Sequence, residues 1–196
     1  MWIWPGSISA GWKKFFQCDQ CHPGSDPAFQ SIEKILPPEI QDALTMANTR
    51  SRLRMLTLYA FSGHHNLLVA GTGNKVEDFG VGFFTKYGDG GVDLSPIADL
   101  MKSEVYAVGE YLGIVDGIMT AKPTDGLWAD SRSDEDQIGA SYNELEWAMG
   151  FDAEKNDSSQ LSVREREVLA IFRSFNRANR HKIDPIPVAR IPAALR

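Results

Sequence analysis

One run of the chain, Gly71 to Asp93, restricts its fold and function more than any other segment. It reads GTGNKVEDFGVGFFTKYGDGGVD and holds seven of the 17 glycines. Glycine lets the backbone turn sharply and approach a ligand closely, lysines suit phosphates, and a carboxylate suits the magnesium ion that phosphates share. The polar side chains among the glycines are Thr72, Lys75, Glu77, Lys86, Asp89 and Asp93. The run predicts a site for a phosphorylated small molecule, although composition alone also allows two glycine-rich turns on a strand-rich surface.

The composition is typical of one acidic globular domain. The 196 residues are 43% hydrophobic, which is enough for a sizeable core. A net charge of −6 argues against nucleic acid or an anionic membrane as a partner. No stretch approaches the roughly 20 apolar residues that span a bilayer, and the N-terminal segment lacks the basic region of a secretory signal. With two cysteines and no export signal, we expect a cytoplasmic protein without a nucleic-acid or membrane partner.

The hydrophobic pattern predicts alternating helices and strands. A helix is expected over 39–62 with a stop at Gly63, and NLLVA at 66–70 is typical of a buried parallel strand. The glycine run follows at once, so it would lie at the carboxyl end of a strand, where open α/β sheets bind ligands. Further helices are expected from Ser95 to Leu112, from Asp134 to Met149 and from Ser162 to Arg180, whereas residues 1–36 are expected to be irregular and the proline-rich tail extended.

Two histidine-containing clusters have competing interpretations. Cys18, Cys21 and His22 match the C-x-x-C-H pattern of covalent haem attachment, and the same groups could form part of a zinc site. Two ordinary cysteines in a loop are the interpretation that we favour. His64 and His65 could be metal ligands or a general base, but we expect them to be surface or capping residues near a helix end.

The charged clusters have simple helical explanations. Arg50, Arg52 and Arg54 alternate on a helix, so neighbours point to separate faces; at most one or two can face a ligand and the others are expected to be solvated. Residues 133–137, SDEDQ, are typical of a helix N-terminus capped by its serine, and we assign them no catalytic role. The basic cluster at 177–182 fits cations at a helix C-terminus.

The residue order from about Asn48 to Glu146 closely resembles the NAD synthetases, the ammonia-transferring ligases that complete NAD synthesis. The matching strings are NTRSRLRM, LLVAGTGNKVEDFGVGFFTKYGDGGVDLSPIADLMKSEV, KPTDGLW and DEDQIGASYNELE, and the later NRHKIDP resembles the family's C-terminal end. Together they cover roughly 110 to 150 residues, and the long central string is far more specific than a lone glycine motif.

The resemblance implies a fold and a reaction. The fold is α/β, a doubly wound and mostly parallel sheet of the adenine-nucleotide alpha-hydrolase type, in a homodimer. ATP adenylates the carboxylate of deamido-NAD and releases pyrophosphate, after which ammonia displaces AMP. No side chain need act as nucleophile, so the protein chiefly positions the reactants and neutralises charge.

The resemblance also implies roles for individual residues. The positions that match ATP contacts are Thr72, Lys102 and Thr124, and the last begins a segment, 124–133, that resembles a loop ordered on nucleotide binding. Glu77 matches a ligand of Mg²⁺. The positions that match contacts to deamido-NAD are Arg52, Lys86, Asp93, His181 and Lys182.

One family motif does not occur in the 196 residues. The family's first loop, of the form Ser-Gly-Gly-x-Asp-Ser, wraps the ATP pyrophosphate and provides a second magnesium carboxylate, and no such string is present. We therefore expect 37–196 to be the NAD synthetase-like domain, 1–36 to be a segment unlike the family, and the domain to be N-terminally incomplete. Adenylation by this chain alone is expected to be severely impaired, and the alternative function is that of a truncated or non-catalytic homologue that retains deamido-NAD binding or the dimer surface.

Overall fold

The computed structural model of the protein describes residues 2–4 by their backbone, together with residues 27–124, 126–128, 132–152 and 158–196. The helices are α1 (Pro27–Ile35), α2 (Ala43–His65), α3 (Lys102–Tyr111), α4 (Asp116–Met119), α5 (Asp134–Ile138), α6 (Tyr142–Gly150), α7 (Val163–Ala178) and α8 (Arg180–Ile183). The strands are β1 (Trp2–Trp4) and β2 (Leu68–Ala70). A π-helical turn spans Val76–Val81, and 3₁₀ turns span Pro38–Ile40, Ser158–Gln160 and Ala193–Leu195.

The strand before the glycine run is paired on both edges. One edge of β2 pairs antiparallel with β1, so that Ala70 lies opposite Trp2. The other edge forms a parallel bridge between Ala70 and Leu94, and the Gly71 N–H donates to the Leu94 carbonyl at 2.8 Å. The prediction of parallel pairing is therefore confirmed on the edge of β2 that faces Leu94 and wrong on the edge that faces β1. Within the described ranges these two strands form the sheet, and the larger doubly wound sheet stays a prediction.

The core lies between the π-helical turn and helices α5, α6 and α7. Its central side chains, Val76, Val81 and Leu145, have no exposed surface, and burying such a side chain stabilises the fold by about 1.5–3 kcal/mol. The full set of buried core residues is Val76, Val81, Ile138, Ala140, Tyr142, Leu145, Ala148, Val168 and Leu169. This packing fixes the first half of the glycine run against the C-terminal helices.

Three serines determine where the core helices begin. Ser133, Ser141 and Ser162 each accept a hydrogen bond from the backbone N–H three residues later, and an acidic side chain at that later position accepts one from the serine N–H. The predicted cap at Ser133 is confirmed. The single helix predicted from Asp134 to Met149 is wrong, because Gly139 adopts a φ of +85° and separates α5 from α6.

The first described helix lies inside the segment that was expected to be irregular. Residues 27–35 form α1, which packs on α2 through the buried side chain of Phe29. The Arg50 guanidinium lies 4.0 Å from the centre of the Phe29 ring, a stabilising cation–π geometry. The prediction that 1–36 is irregular is wrong for these nine residues, because contact with α2 stabilises a short helix that its own sequence favours only weakly.

Helix α2 continues past its predicted stop. It includes Gly63 and ends at Asn66, which adopts a left-handed φ of 54° while the N–H of Leu67 donates to the Ser62 carbonyl at 2.8 Å. Asparagine tolerates this conformation, so it replaces glycine as the terminating residue. Although α2 is 23 residues long, no helix in the described part of the chain is both long and apolar enough to cross a membrane.

Helix α3 begins later than predicted. The expected start at Ser95 is wrong, since α3 begins at Lys102 and ends, as predicted, before Gly113. Residues 95–100 instead form turns beside the glycine run, and the Lys75 N–H donates to the Leu100 carbonyl at 2.8 Å. This long-range hydrogen bond satisfies backbone that a helix would otherwise have used.

Substituting Gly82 by alanine is expected to destabilise the protein by about 2–3 kcal/mol. Gly82 has a φ of +63°, and a methyl group there would lie 2.5 Å from the Cβ of Asn179. Urea unfolding would measure the change. Gly117→Ala is the control, because no described atom lies within 4 Å of its added methyl group, and alanine should be neutral or stabilising in α4. Equal stability of the two variants would contradict the close packing at Gly82.

Candidate functional site

Glu77 lies at the centre of a polar cluster beyond the carboxyl end of β2. The Nζ of Lys102, the first residue of α3, is 3.0 Å from Glu77 Oε1, and these side chains are 20% and 14% exposed. The Tyr142 hydroxyl donates to the same oxygen at 2.5 Å. The Asn74 N–H donates to the other carboxylate oxygen at 3.3 Å. The structure therefore brings together the predicted metal ligand and a predicted ATP contact.

Asn74 explains why Glu77 points inward from the glycine run. Its side-chain oxygen accepts the N–H groups of Val76 and Glu77 at 3.0 and 3.1 Å, which caps the π-helical turn. Asn74 is 1% exposed, so both hydrogen bonds are shielded from water. Thr72 lies in the exposed loop just before it. Sequence reasoning missed Asn74, although an Asn in the loop before a helical turn is a recognisable capping signal.

Tyr142 and Asp134 form the buried side of this cluster. The Tyr142 hydroxyl is 3.2 Å from Asp134 Oδ2, and the two residues are 6% and 8% exposed. Burial, together with the negative charge of Glu77, raises the pKa of the Tyr142 hydroxyl, so it remains a hydrogen-bond donor at physiological pH. The Lys102 ammonium lies 4.6 Å from the centre of its ring. Tyr142 had no predicted role, although this residue stands within the string DEDQIGASYNELE.

Asp78 packs against the glycine run beside Glu77. A methyl group on Gly73 would lie 2.2 Å from a carboxylate oxygen of Asp78, so a larger residue there would displace that carboxylate. Burial, followed by the charges of Glu77 and Asp89, raises the pKa of Asp78 from 3.8 to about 7. Asp78 was also missed, because adjacent Glu and Asp residues give no signal of which one is buried.

Three of the five residues predicted to contact deamido-NAD form one chain of contacts, and a fourth contacts the same glycine run. Arg52 Nε donates to the Lys86 carbonyl at 3.3 Å, and Lys86 Nζ donates to the His181 carbonyl. Lys182 Nζ donates to the Phe84 carbonyl at 2.7 Å. Burial lowers the pKa of the Lys182 ammonium. The basic cluster at the end of α7 thus reaches back across the glycine run, as well as terminating a helix.

Two carboxamides hold the same run against α7. Asn176 Nδ2 donates to the Gly80 carbonyl at 2.7 Å, and Asn179 Nδ2 donates to the Val81 carbonyl at 2.9 Å. These bonds join residues 96 and 98 positions apart. Sequence reasoning missed both, because asparagines near a helix C-terminus are equally typical of capping.

Two acidic residues of the run have structural partners. Asp93, predicted to contact deamido-NAD, accepts the Tyr59 hydroxyl at 3.0 Å and the Val69 N–H at 2.8 Å. These bonds join α2 to β2, and the Asp93 carboxylate is not part of the chain of contacts through Arg52. Asp89 accepts the Ser51 hydroxyl at 2.8 Å. A ligand role for Asp93 stays a prediction.

The arginines of α2 divide between two sites. Arg50 and Arg54 lie one turn apart and donate to the carbonyls of 126–127 at 2.7 and 3.0 Å, so the expectation that they are solvated is wrong. Arg52 points to a separate face, as predicted. Thr124 lies at the start of the segment that these arginines hold, and its hydroxyl accepts a backbone N–H at 3.2 Å. Thr124, the predicted ATP contact, therefore lies in a loop that is hydrogen-bonded to α2.

The structure describes one of the two histidine-containing clusters. Cys18, Cys21 and His22 lie outside the described residues. His64 and His65 occupy the last turn of α2, with ring centres 4.7 Å apart. Within the described ranges no three His, Cys, Asp or Glu side chains converge on a possible metal position.

Comparison with known proteins identifies the family. The family model described as NAD synthase matches residues 25–185. The chain belongs to the NAD synthase family. It is 43% identical over 145 residues to the NH(3)-dependent NAD(+) synthetase of Archaeoglobus fulgidus, covering 74% of this chain and 56% of that protein. It is 44% identical over 119 residues to the enzyme of the same name from Carboxydothermus hydrogenoformans, covering 61% of this chain and 48% of that protein.

Solved structures confirm the α/β fold of the family. The NMN synthetase of Francisella tularensis superposes with a TM-score of 0.69 at 30% identity, over 85% of this chain and 63% of that one. The NH3-dependent NAD synthetase of Campylobacter jejuni superposes with a TM-score of 0.61 at 23% identity, over 83% and 62%. The chain spans about half the length of the curated relatives that it matches.

Asp78 should make the protein less stable as the pH rises. Its pKa is higher in the folded than in the unfolded state, so the stabilisation is complete below about pH 4 and is lost as the pH rises through about 7. Between pH 5 and 8, the free energy of unfolding of Asp78→Asn should therefore fall by about 1–3 kcal/mol less than that of the wild type. The difference is smaller than the full pKa shift implies, because the Asp78 carboxylate partly faces solvent.

Urea unfolding at the two pH values, with EDTA present, would measure this difference. Asp99→Asn is the matched control, because the Asp99 side chain is 97% exposed and its ion pair with Lys75 lies at the surface. An unchanged pH dependence in Asp78→Asn would show that the carboxylate ionises normally in the folded protein.

Proposed function

We propose that the protein catalyses the ATP-dependent amidation of deamido-NAD to NAD. ATP would adenylate the nicotinate carboxylate and release pyrophosphate, and ammonia would then displace AMP. Membership of the NAD synthase family supports this reaction. The observation that carries the proposal is the ion pair between Lys102 and Glu77, which joins a candidate phosphate contact to a candidate metal ligand at the end of β2.

The location of that ion pair favours a ligand-binding role. An ion pair that is mostly removed from water loses much of its Coulombic gain to desolvation, so it is weak evidence for a purely stabilising role. Lys102 carries a compact charge that suits phosphate oxygens. The adjoining loop at 71–73 contains two glycines, which allow close backbone approach, and Thr72 beside them is the proposed hydroxyl contact to ATP. Thr124 is the proposed contact from the loop that Arg50 and Arg54 hold.

A magnesium ion fits the chemistry of Glu77. Carboxylate oxygens are hard ligands, and magnesium in nucleotide sites commonly uses one or two carboxylates while phosphates and water complete its shell. Such a site needs no all-protein cage, so Glu77 can be one ligand while phosphate and water oxygens supply others. When bound, the ion would neutralise phosphate charge. Glu77 would hold it, and Lys102 would compensate the remaining negative charge.

The basic chain of contacts suits the second substrate. Arg52, Lys86, His181 and Lys182 lie on three separate segments yet meet around the second half of the glycine run. Guanidinium and ammonium groups complement the pyrophosphate and carboxylate of deamido-NAD. Asp93 is a further proposed polar contact to deamido-NAD. No protein nucleophile is required, because ammonia attacks a carbonyl that adenylation has already activated.

The wider assembly is also part of the proposal. We expect a cytoplasmic homodimer whose NAD synthetase-like domain spans 37–196 and contributes to a doubly wound, mostly parallel sheet.

A mononucleotide substrate is the second candidate. The solved structure that is 30% identical is named an NMN synthetase, whereas the NAD synthetase structure is 23% identical. The same amidation of a nicotinate carboxylate would then yield NMN. Competition between deamido-NAD and nicotinate mononucleotide for the protein would distinguish the two substrates.

Isothermal titration is the first test of the substrate assignment. Lys86→Met should weaken deamido-NAD binding about 10-fold or more, and Lys102→Met should do the same to ATP binding, since a hydrogen bond to a charged group contributes about 1.5–3 kcal/mol. Each variant should leave the other ligand's affinity unchanged. Lys34→Met, at an exposed position on α1, is the matched control.

Binding is a sharper readout than turnover, because the Ser-Gly-Gly-x-Asp-Ser loop does not occur in these 196 residues. Binding of both substrates with AMP formation supports the synthetase, and deamido-NAD binding without AMP formation supports the alternative of a non-catalytic homologue. Failure of the wild-type protein to bind either substrate would contradict the proposed function.

A further inference from the structure

We propose that Tyr142 is a positioning residue whose hydroxyl, placed between Glu77 and Asp134, orients the Glu77 carboxylate toward a divalent cation that ATP shares. This inference rests on the proposed function, since it deepens the role of Glu77. The family resemblance assigned no role to Tyr142 or Asp134. The two residues belong to α5 and α6, whereas Glu77 belongs to the π-helical turn, so only the tertiary fold brings them together.

The hydroxyl proton has a clear preference between its two acceptors. A tyrosine has one O–H to donate. Its oxygen is 2.5 Å from Glu77 Oε1 and 3.2 Å from Asp134 Oδ2. The shorter distance is that of a hydrogen bond to a charged carboxylate, among the strongest in proteins. Tyr142 therefore holds Glu77, and the same O–H makes only a longer, weaker contact with the Asp134 carboxylate on its other side.

The surroundings make this hydrogen bond rigid. Tyr142 belongs to the buried core that includes Val76 and Leu145, and its neighbour Ser141 caps the same helix. A ring fixed at the start of α6 cannot follow the carboxylate if Glu77 changes rotamer. Partners of this kind orient carboxylates that bind metals, and their removal typically lowers metal affinity about 10–100-fold.

The arrangement divides the Glu77 carboxylate between two tasks. One oxygen, Oε1, receives both Tyr142 and Lys102, whereas Oε2 faces the backbone N–H of Asn74 at the longer distance of 3.3 Å. A cation approaching Oε2 would thus compete only with a weak hydrogen bond. If Lys102 turned from Glu77 to a phosphate, the hydrogen bond from Tyr142 to Oε1 would still hold the carboxylate in place.

Tyr142→Phe isolates the hydroxyl from the rest of the side chain. Phenylalanine keeps the ring that fills the core and the face that lies 4.6 Å from the Lys102 ammonium. It removes only the O–H. Metal-dependent binding should therefore change while the lysine contact remains.

The test compares ATP affinity in EDTA and in magnesium by isothermal titration, with direct Mn²⁺ binding followed by electron paramagnetic resonance. Tyr142→Phe should leave ATP affinity in EDTA within about twofold of wild type, and should reduce Mn²⁺ affinity and the magnesium-dependent gain in ATP affinity about 10-fold or more. Deamido-NAD affinity should be unchanged. Tyr106→Phe is the matched control, because Tyr106 lies on α3 with 36% of its surface exposed.

Asp134→Asn keeps the size of the supporting residue and removes its charge, and it should produce a smaller loss of the same kind. It replaces Tyr142→Phe in the comparison if the phenylalanine variant does not fold. An unchanged Mn²⁺ affinity, or an equal loss of ATP affinity with and without metal, would overturn the inference. A wild-type protein that gains nothing from metal would overturn it together with the metal role of Glu77, whereas retained deamido-NAD binding would still support the family reaction.

Discussion

The packing of the π-helical turn against α6 and α7 determines where the described site residues lie. Val76 and Val81 anchor the two ends of this turn in the core with no exposed surface. Between them Glu77 faces the polar cluster, and beyond them the chain enters the segment that carries Lys86. Asn176, on α7, donates a hydrogen bond to the Gly80 carbonyl of this turn. A shift of the turn would move the candidate metal ligand and the candidate substrate contacts together.

Neighbouring segments hold the glycine run in place by hydrogen bonds to its backbone as well as by apolar packing. A run with seven glycines has few side chains to bury, so part of its stability comes from neighbours that supply hydrogen bonds to its backbone. Asn176 of α7 and Asn179 just after the helix supply two such bonds through carboxamides, and Lys182 supplies another to Phe84. The same contacts leave Glu77 and Lys102 paired inside a small desolvated cluster, where charges act more strongly than at the surface.

The extent of successful prediction differs between elements for physical reasons. Ser133 was correctly predicted as a cap, and α7 matched its expected range, because both depend on short-range patterns. The expected helix start at Ser95 was wrong, because residues 95–100 form hydrogen-bonded turns beside the glycine run that local preference does not reveal. Arg54 was expected to be solvated but binds a distant carbonyl, since helical spacing gives the direction of a side chain and not its partner.

The sequence by itself determined the family and the glycine run and predicted the kind of chemistry, because residue type and spacing alone are enough to match a long specific string. It also identified Glu77, Lys102 and Lys86 as candidate ligands. Only the tertiary structure decided that the Tyr142 hydroxyl lies between Glu77 and Asp134, and that Asp93 joins α2 to β2. The physical reason is that hydrogen bonds between residues tens of positions apart depend on how helices pack, and no local pattern encodes that packing.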